Sequence, residues 1–90
     1  MQVKVRAFGQ LIALLGSEST VELPRDARLD DLLSLLATKN PSMTAGFPGP
    51  YGVVEHLTVL VNGRNATTLP TPLLLHEGDV VTLLPPFVGG

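Results

Sequence analysis

The chain of 90 residues contains no cysteine and no tryptophan. The absence of thiols excludes disulfides, thiolate metal sites and cysteine nucleophiles. The two histidines, His56 and His76, lie far apart without a metal-ligand spacing around them, so we predict no metal site. Aromatic residues make up only 4% and charged residues 16%, against 44% hydrophobic residues. This composition is typical of a folded domain with an aliphatic core.

Clusters of basic residues and long apolar runs are also missing. The net charge is −2 and the six Lys and Arg residues are dispersed, which argues against nucleic acid as a partner. No stretch approaches the ~20 apolar residues that span a bilayer, and residues 1–6 alternate instead of forming a secretory signal. Glycine-rich nucleotide motifs are absent. We therefore expect a cytoplasmic protein that has no bound cofactor and binds neither nucleic acid nor membrane.

Alternation of apolar and polar residues predicts strands along the chain. In the first, Val3, Val5 and Ala7 share one face, and in the last, Val81 and Leu83 do. The Asn62-Gly63 pair predicts a tight hairpin turn, because both residues tolerate positive φ. The predicted strands cover residues 2–8, 20–23, 57–62, 64–68 and 80–84.

One helix is predicted from Leu29, because apolar residues recur there at helical spacing: Leu29, Leu32, Leu33, Leu36 and Ala37. Asn40-Pro41 ends it. Arg28 precedes it where a small capping residue is usual, which should cost about 1 kcal/mol of stability unless Asp26 serves as the cap instead. One or two helical turns are expected between Gly9 and Gly16, and residues 41–55 form a loop.

This order of elements predicts an α+β fold with one mixed sheet of four to five strands, covered on one face by the main helix. We expect one domain over residues 1–84 and an extended tail over residues 85–90. The inward strand residues and the helix stripe form the predicted core. Phe8, Leu60 and Leu84 fall on the opposite face, where a contiguous apolar patch would indicate a partner surface. Scattered single apolar residues are the alternative.

The tail begins where Pro85-Pro86 stops the last strand. It ends in Phe87-Val88-Gly89-Gly90, and we expect it to project from the domain. Two residues without Cβ atoms allow the backbone to pass through a narrow channel and present its terminal carboxylate. A frayed terminus of small residues is the alternative.

Layout and tail together resemble the small subunit of molybdopterin synthase (MoaD) and its sulfur-carrier relatives, which have the ubiquitin-like β-grasp fold. The resemblance covers nearly the whole chain. Its individual motifs are weak, but their combination is fairly specific. They are Val3-Lys4-Val5-Arg6-Ala7-Phe8, Leu32-Leu33-Ser34-Leu35-Leu36, Val61-Asn62-Gly63, Glu77-Gly78-Asp79-Val80-Val81, Leu84-Pro85-Pro86 and Gly89-Gly90.

The resemblance implies a protein that is not catalytic alone. An E1-like activating enzyme would use ATP and magnesium to adenylate the Gly90 carboxylate, and a sulfur donor protein would convert it to a thiocarboxylate. Gly90 would then donate sulfur for the molybdenum or tungsten cofactor inside the large subunit of molybdopterin synthase. Pro85, Pro86, Phe87, Val88 and Gly89 would occupy the channel of that subunit.

Two tail positions depart from the family pattern. Phe87 replaces a smaller aliphatic residue and Val88 a Ser or Ala, which favours a wider or more apolar channel in the partner. A ubiquitin-like modifier, conjugated through Gly90 to lysines, requires the same tail and stays open beside the sulfur carrier. A β-grasp interaction module with incidental glycines is the third alternative. Thiamin-pathway carriers, which generally lack Pro85-Pro86, rank lower.

Overall fold

The strands form a single mixed sheet in which sequence order is not spatial order. The computed structural model describes residues 1–39 and 58–84. Within them the sheet order is β2-β1-β5-β3-β4, with β1 parallel to β5 and the other neighbours antiparallel. The mixed sheet and its helix confirm the α+β prediction. The strands are β1 (Gln2–Ala7), β2 (Glu18–Glu22), β3 (Thr58–Val61), β4 (Arg64–Asn65) and β5 (Val80–Leu84).

The last strand, β5, occupies the centre of the sheet. Its Leu83 pairs with Ala7 of β1 on one side and with Val59 of β3 on the other. Val81 and Leu83 are fully buried, because apolar neighbours flank them on both sides of the strand. The predicted alternation is therefore confirmed in β1, β3 and β5. In β2, Val21 is only half-buried, and the strand ends before the buried Leu23.

The main helix, α2 (Leu29–Lys39), closes the core over one face of the sheet. Leu32, Leu33 and Leu36 are its buried residues, as the apolar stripe predicts. At the start of the helix, the backbone N–H of Arg28 donates to Oδ2 of Asp31 at 2.9 Å, a contact that the sequence did not predict. This is half of a capping box, in which a carboxylate of the first turn reaches back to the residue before the helix.

The predicted hairpin turn between β3 and β4 is confirmed. Asn62 and Gly63 have φ of 52° and 84°, and Val61 pairs directly with Arg64. The strand predicted over residues 64–68, however, ends at Asn65. Oδ1 of Asn65 accepts a hydrogen bond from the Thr67 backbone N–H at 3.0 Å, and this turns the chain into a 3-10 helix, Ala66–Thr68.

Irregular segments complete the core. The expected turns after Gly9 are a 3-10 helix, Gly9–Leu11, followed by α1 (Ile12–Leu15). Leu11, Ala27 and Leu75 are buried, although no periodic pattern marks them. Three predicted features lie outside the described residues: the first residue of the third predicted strand, Leu57, the loop at 41–55 and the tail at 85–90.

Candidate functional site

The strand that leads to the predicted tail, β5, ends at the border of the sheet that is formed by the strand ends, not at an outer strand. Leu84 closes β5 there, and its partner across β3 is Thr58. Ala7, the last residue of β1, lies beside Leu83 at the same edge, which we call the tail edge. The tail residues themselves lie outside the described residues: Pro85, Pro86, Phe87, Val88, Gly89 and Gly90. Their roles therefore stay predictions, while the structure describes the base from which they continue.

The side of the sheet that faces away from α2, the open face, carries the non-buried residues of the central strands. Leu60 of β3 pairs with Thr82 of β5, and Thr82 also lies beside Arg6 of β1. Leu60 and Leu84 are diagonal neighbours on this face, and both are half-buried. Diagonal neighbours lie within reach of long side chains, so these two leucines share one surface.

Phe8 extends this surface at the tail edge. It follows Ala7 in extended conformation and is 40% exposed. Because Ala7 and Leu83 pair in parallel register, Phe8 and Leu84 are the next residues of neighbouring strands. The structure thus places the three predicted partner residues at one end of the open face. That they bind a partner is untested and stays a prediction.

The Arg6 guanidinium lies over the Phe8 ring. The Cζ atom of Arg6 lies 5.6 Å from the ring centroid, a cation–π contact worth about 0.5–1 kcal/mol at an exposed site. Farther along the same strand, Nζ of Lys4 pairs with Oε1 of Glu18 at 3.0 Å. The contact between Arg6 and Phe8 was not predicted from the sequence. Their spacing of two residues, which places them on one strand face, was the signal for it.

The opposite edge of the sheet holds the start of β5 in place. Asp79 accepts a hydrogen bond from the Asn62 side-chain amide at 3.0 Å and another from the His76 backbone N–H at 2.8 Å. Oδ1 of Asn62 in turn accepts from the Val80 N–H at 2.9 Å. The Asn62-Gly63 and Gly78-Asp79 motifs therefore join the hairpin to β5. Their effect on the site is to position the strand that continues into the tail.

Residues 1–39 and 58–84 contain no group of three His, Asp or Glu side chains arranged to hold a metal ion. No helix in these ranges is long and apolar enough to cross a membrane.

The match to a known family includes the predicted tail, because residues 5–90 fit the family model described as the ThiS family. The chain belongs to the ThiS family. It is 28% identical to small archaeal modifier protein 3 of Haloferax volcanii over the full length of both chains. The chain is also similar to the crystal structure of SAMP1 from Haloferax volcanii. The match covers all of both chains, with 27% identity and a TM-score of 0.80.

A further structure similar to this ThiS-family chain is a putative molybdopterin converting factor, subunit 1, from Pyrococcus furiosus. It is 29% identical, with a TM-score of 0.76, and the match covers 97% of this chain and 99% of that one. A complex of subunits 1 and 2 of the molybdopterin-converting factor from Helicobacter pylori 26695 matches over both full chains, at 26% identity and a TM-score of 0.54. The structural neighbours thus include a protein seen with its partner.

These comparisons confirm the ubiquitin-like β-grasp fold and the resemblance to sulfur carriers. The relatives of this ThiS-family chain are of two kinds, since MoaD-like subunits and archaeal modifiers both match along nearly its whole length. Family membership therefore supports a small ubiquitin-like carrier or modifier protein.

Proposed function

We propose that this protein is a sulfur carrier whose Gly90 carboxylate is adenylated and converted to a thiocarboxylate for molybdopterin synthesis. The observation that carries the proposal is the family match, which extends through Gly89 and Gly90. The position of β5 supports it. The tail continues from the central strand, whose start is fixed by Asp79 and Asn62.

The chemistry needs activation, because a carboxylate is a poor electrophile. Attack of a Gly90 carboxylate oxygen on the α-phosphorus of ATP forms the acyl-adenylate and releases pyrophosphate. A sulfur nucleophile at the oxidation level of hydrosulfide then attacks the acyl carbon, and AMP leaves as the thiocarboxylate forms. The thiocarboxylate is a soft nucleophile at neutral pH. An E1-like partner supplies the ATP site and magnesium, and this chain supplies the substrate carboxyl group.

Delivery of the sulfur requires a partner that accepts both the tail and the open face. In this proposal Phe8, Leu60 and Leu84 dock on the activating enzyme and on the large subunit of molybdopterin synthase. Residues 85–90 enter the channel of that subunit. A related protein from Helicobacter pylori forms a complex with a second subunit, which supports a partner of this kind. Phe87 and Val88 favour a channel wider than one that accepts small residues.

A second candidate function is protein modification, favoured by the similarity to small archaeal modifier proteins. The same Gly90 adenylate would react with the ε-amine of a lysine on a target protein. An isopeptide bond forms, and AMP leaves. Carrier and modifier share the activation step and differ in the nucleophile that follows it.

Intact mass spectrometry of the protein purified from its native cells tests both candidates. A gain of about sixteen mass units, from replacement of one oxygen by sulfur, is expected for the thiocarboxylate carrier. The modifier predicts lysine residues of other proteins that carry a branched Gly-Gly remnant after digestion.

The matched control is a chain that ends at Val88, which lacks both glycines and leaves the described residues unchanged. It should fold as the full chain does and show neither the added mass nor conjugates. If the full chain shows neither product under several growth conditions, or if the shortened chain keeps full function in cells, the proposal is wrong.

A further inference from the structure

Of the three asparagines of the chain, only Asn62 precedes a glycine. Asn40 is followed by proline, which has no backbone N–H, and Asn65 by alanine, whose methyl group hinders approach to the side chain before it. Glycine has no Cβ, so its N–H is unhindered. Asn62 and Gly63 are both exposed in the hairpin turn between β3 and β4. Water and hydroxide can therefore reach the N–H of Gly63.

An asparagine followed by glycine permits a reaction of the side chain that needs no enzyme. Once hydroxide has taken its proton, the backbone nitrogen of Gly63 attacks Cγ of Asn62, and a succinimide ring forms. The bond between Cγ and Nδ2 breaks, and ammonia leaves with a proton taken from water. Water then opens the ring at either carbonyl carbon, so that position 62 becomes an aspartate or an isoaspartate. Reactions of this kind place asparagine among the thermolabile residues.

Hydrogen bonds to the start of β5 restrain the Asn62 side chain in the folded chain. Its Nδ2 donates to Oδ1 of Asp79 at 3.0 Å, and its Oδ1 accepts from the Val80 N–H at 2.9 Å. The Asn62 backbone N–H also donates to the Val80 carbonyl, at 2.8 Å. Ring closure moves Cγ onto the Gly63 nitrogen, and a side chain held at both of its polar atoms resists this movement. The bond to the charged Asp79 carboxylate is the stronger restraint.

Deamidation would reverse the interaction between the hairpin and Asp79. The Asp79 carboxylate is held by the His76 backbone N–H at 2.8 Å, and its side chain is only 14% exposed. A carboxylate at position 62 has no N–H to donate to it and would stand where the amide lies now, 3.0 Å away. Two carboxylates at that distance repel each other. An isoaspartate also adds a carbon atom to the main chain of the two-residue turn.

We infer that Asn62 is a latent site of spontaneous deamidation, which its hydrogen bond to Asp79 keeps unreactive while the domain is folded. Loss of that bond releases the side chain, and the reaction then replaces an attraction between the hairpin and β5 by a repulsion. The change does not reverse, because the amide nitrogen leaves as ammonia. It acts at the start of the strand that continues into the tail. The inference does not depend on the chemistry at Gly90.

Peptide mass spectrometry of the folded full chain, incubated in mildly alkaline buffer, tests the inference. Asp79→Ala should deamidate at position 62 at least about tenfold faster than the unaltered chain, because a hydrogen bond to a charged group no longer holds the amide. Leu32→Ala is the matched control. It removes a buried side chain of α2 and lowers stability, but it keeps the hydrogen bond between Asn62 and Asp79. It should react as slowly as the unaltered chain at a temperature at which both variants are folded.

A reciprocal exchange tests the consequence and keeps the inference testable if Asp79→Ala fails to fold. Asn62→Asp, which has the product of the reaction, should lower the urea concentration at the unfolding midpoint. Adding Asp79→Asn should recover most of this loss. In the double variant the amide at position 79 donates to the carboxylate at position 62, and its oxygen still accepts from the His76 N–H.

Three results would overturn the inference. Equal rates for Asp79→Ala and Leu32→Ala would show that the reaction follows unfolding of the whole domain. A folded, unaltered chain that deamidates at Asn62 as fast as the same chain in urea would show that the fold gives no protection. A double variant no more stable than Asn62→Asp alone would show that repulsion from Asp79 is not the cause of the loss.

Discussion

At the scale of single residues, Asp79 joins more of the molecule than its position in a turn suggests. Its carboxylate connects the hairpin at Asn62 to the segment at His76, and its side chain is only 14% exposed. Asp79→Ala would leave both donors without this acceptor, so we expect the free energy of unfolding to fall by about 1–3 kcal/mol. Urea denaturation with an unchanged slope would measure this loss.

Asp30→Ala is the control for this loss. Asp30 is exposed in the first turn of α2, where a carboxylate interacts with the helix dipole for less than about 1 kcal/mol. Equal losses for the two variants would contradict the role assigned to Asp79.

Gly63 has a φ of 84°, a backbone conformation that favours glycine over residues with a side chain. Apart from Gly63 and its two chain neighbours, no atom lies within 4 Å of a Cβ added there, so substitution meets backbone strain without a steric clash. Gly63→Ala should cost about 1–2 kcal/mol of stability. Gly63→Asn should cost less, because asparagine tolerates this region. Thermal or urea unfolding of the two variants measures their relative stability. A Gly63→Asn variant less stable than the Gly63→Ala variant would contradict this prediction.

At the scale of elements, consecutive residues of β5 face opposite sides of the sheet, one toward the core and the next toward the open face. Leu83 is fully buried, whereas Leu84 is half-buried at the tail edge. Leu83→Ala should cost about 2–5 kcal/mol of stability, since it opens a cavity in the core. Leu84→Ala should cost about 1 kcal/mol or less, because part of its side chain already contacts water. Denaturation of the two adjacent variants measures the difference, and similar losses would show that the assigned faces are wrong.

The elements that the sequence predicts well are those in which burial imposes a period. Val3, Val5 and Ala7 alternate because one face of β1 is covered, and Leu32, Leu33 and Leu36 follow the helical period for the same reason. The hairpin turn at Asn62-Gly63 was predictable as well, because both residues tolerate the positive φ that the turn requires. The predicted partner patch depended on the same alternation, which placed Leu60 and Leu84 on the open face.

Features fixed by contacts between irregular segments could not be predicted in this way. Leu75 is buried because its N–H bonds to Ala27 across a long sequence separation, and neither segment shows a period. The end of β4 depends on the Asn65 side chain, which replaces a strand hydrogen bond by a local one. The helix cap was missed because Asp31 reaches back from inside the helix.

At the scale of the whole molecule, Phe8 and Leu84 lie side by side on the open face, where β1 and β5 end. Phe8→Ala should reduce the fraction of chains with the thiocarboxylate mass at least about fivefold, because an exposed aromatic at a docking site carries much of the binding energy. Stability should change little, since Phe8 is 40% exposed. Intact mass spectrometry of variants expressed in the native cells provides the measurement.

Ser34→Ala is the control for Phe8→Ala, because Ser34 is exposed on α2, on the opposite side of the sheet from the open face. It should keep the mass gain of the unaltered chain. If Phe8→Ala is loaded with sulfur as completely as Ser34→Ala, Phe8 is not part of the docking surface.

The central place of β5 has a mechanical consequence. If a partner draws residues 85–90 into a channel, as proposed, the pull acts along the axis of a strand that is hydrogen-bonded on both sides, to β1 and to β3. A force along the strand axis loads the hydrogen bonds to both neighbouring strands at the same time. They resist it together and do not break one after another. The tail can therefore be held under tension while the domain behind it stays folded.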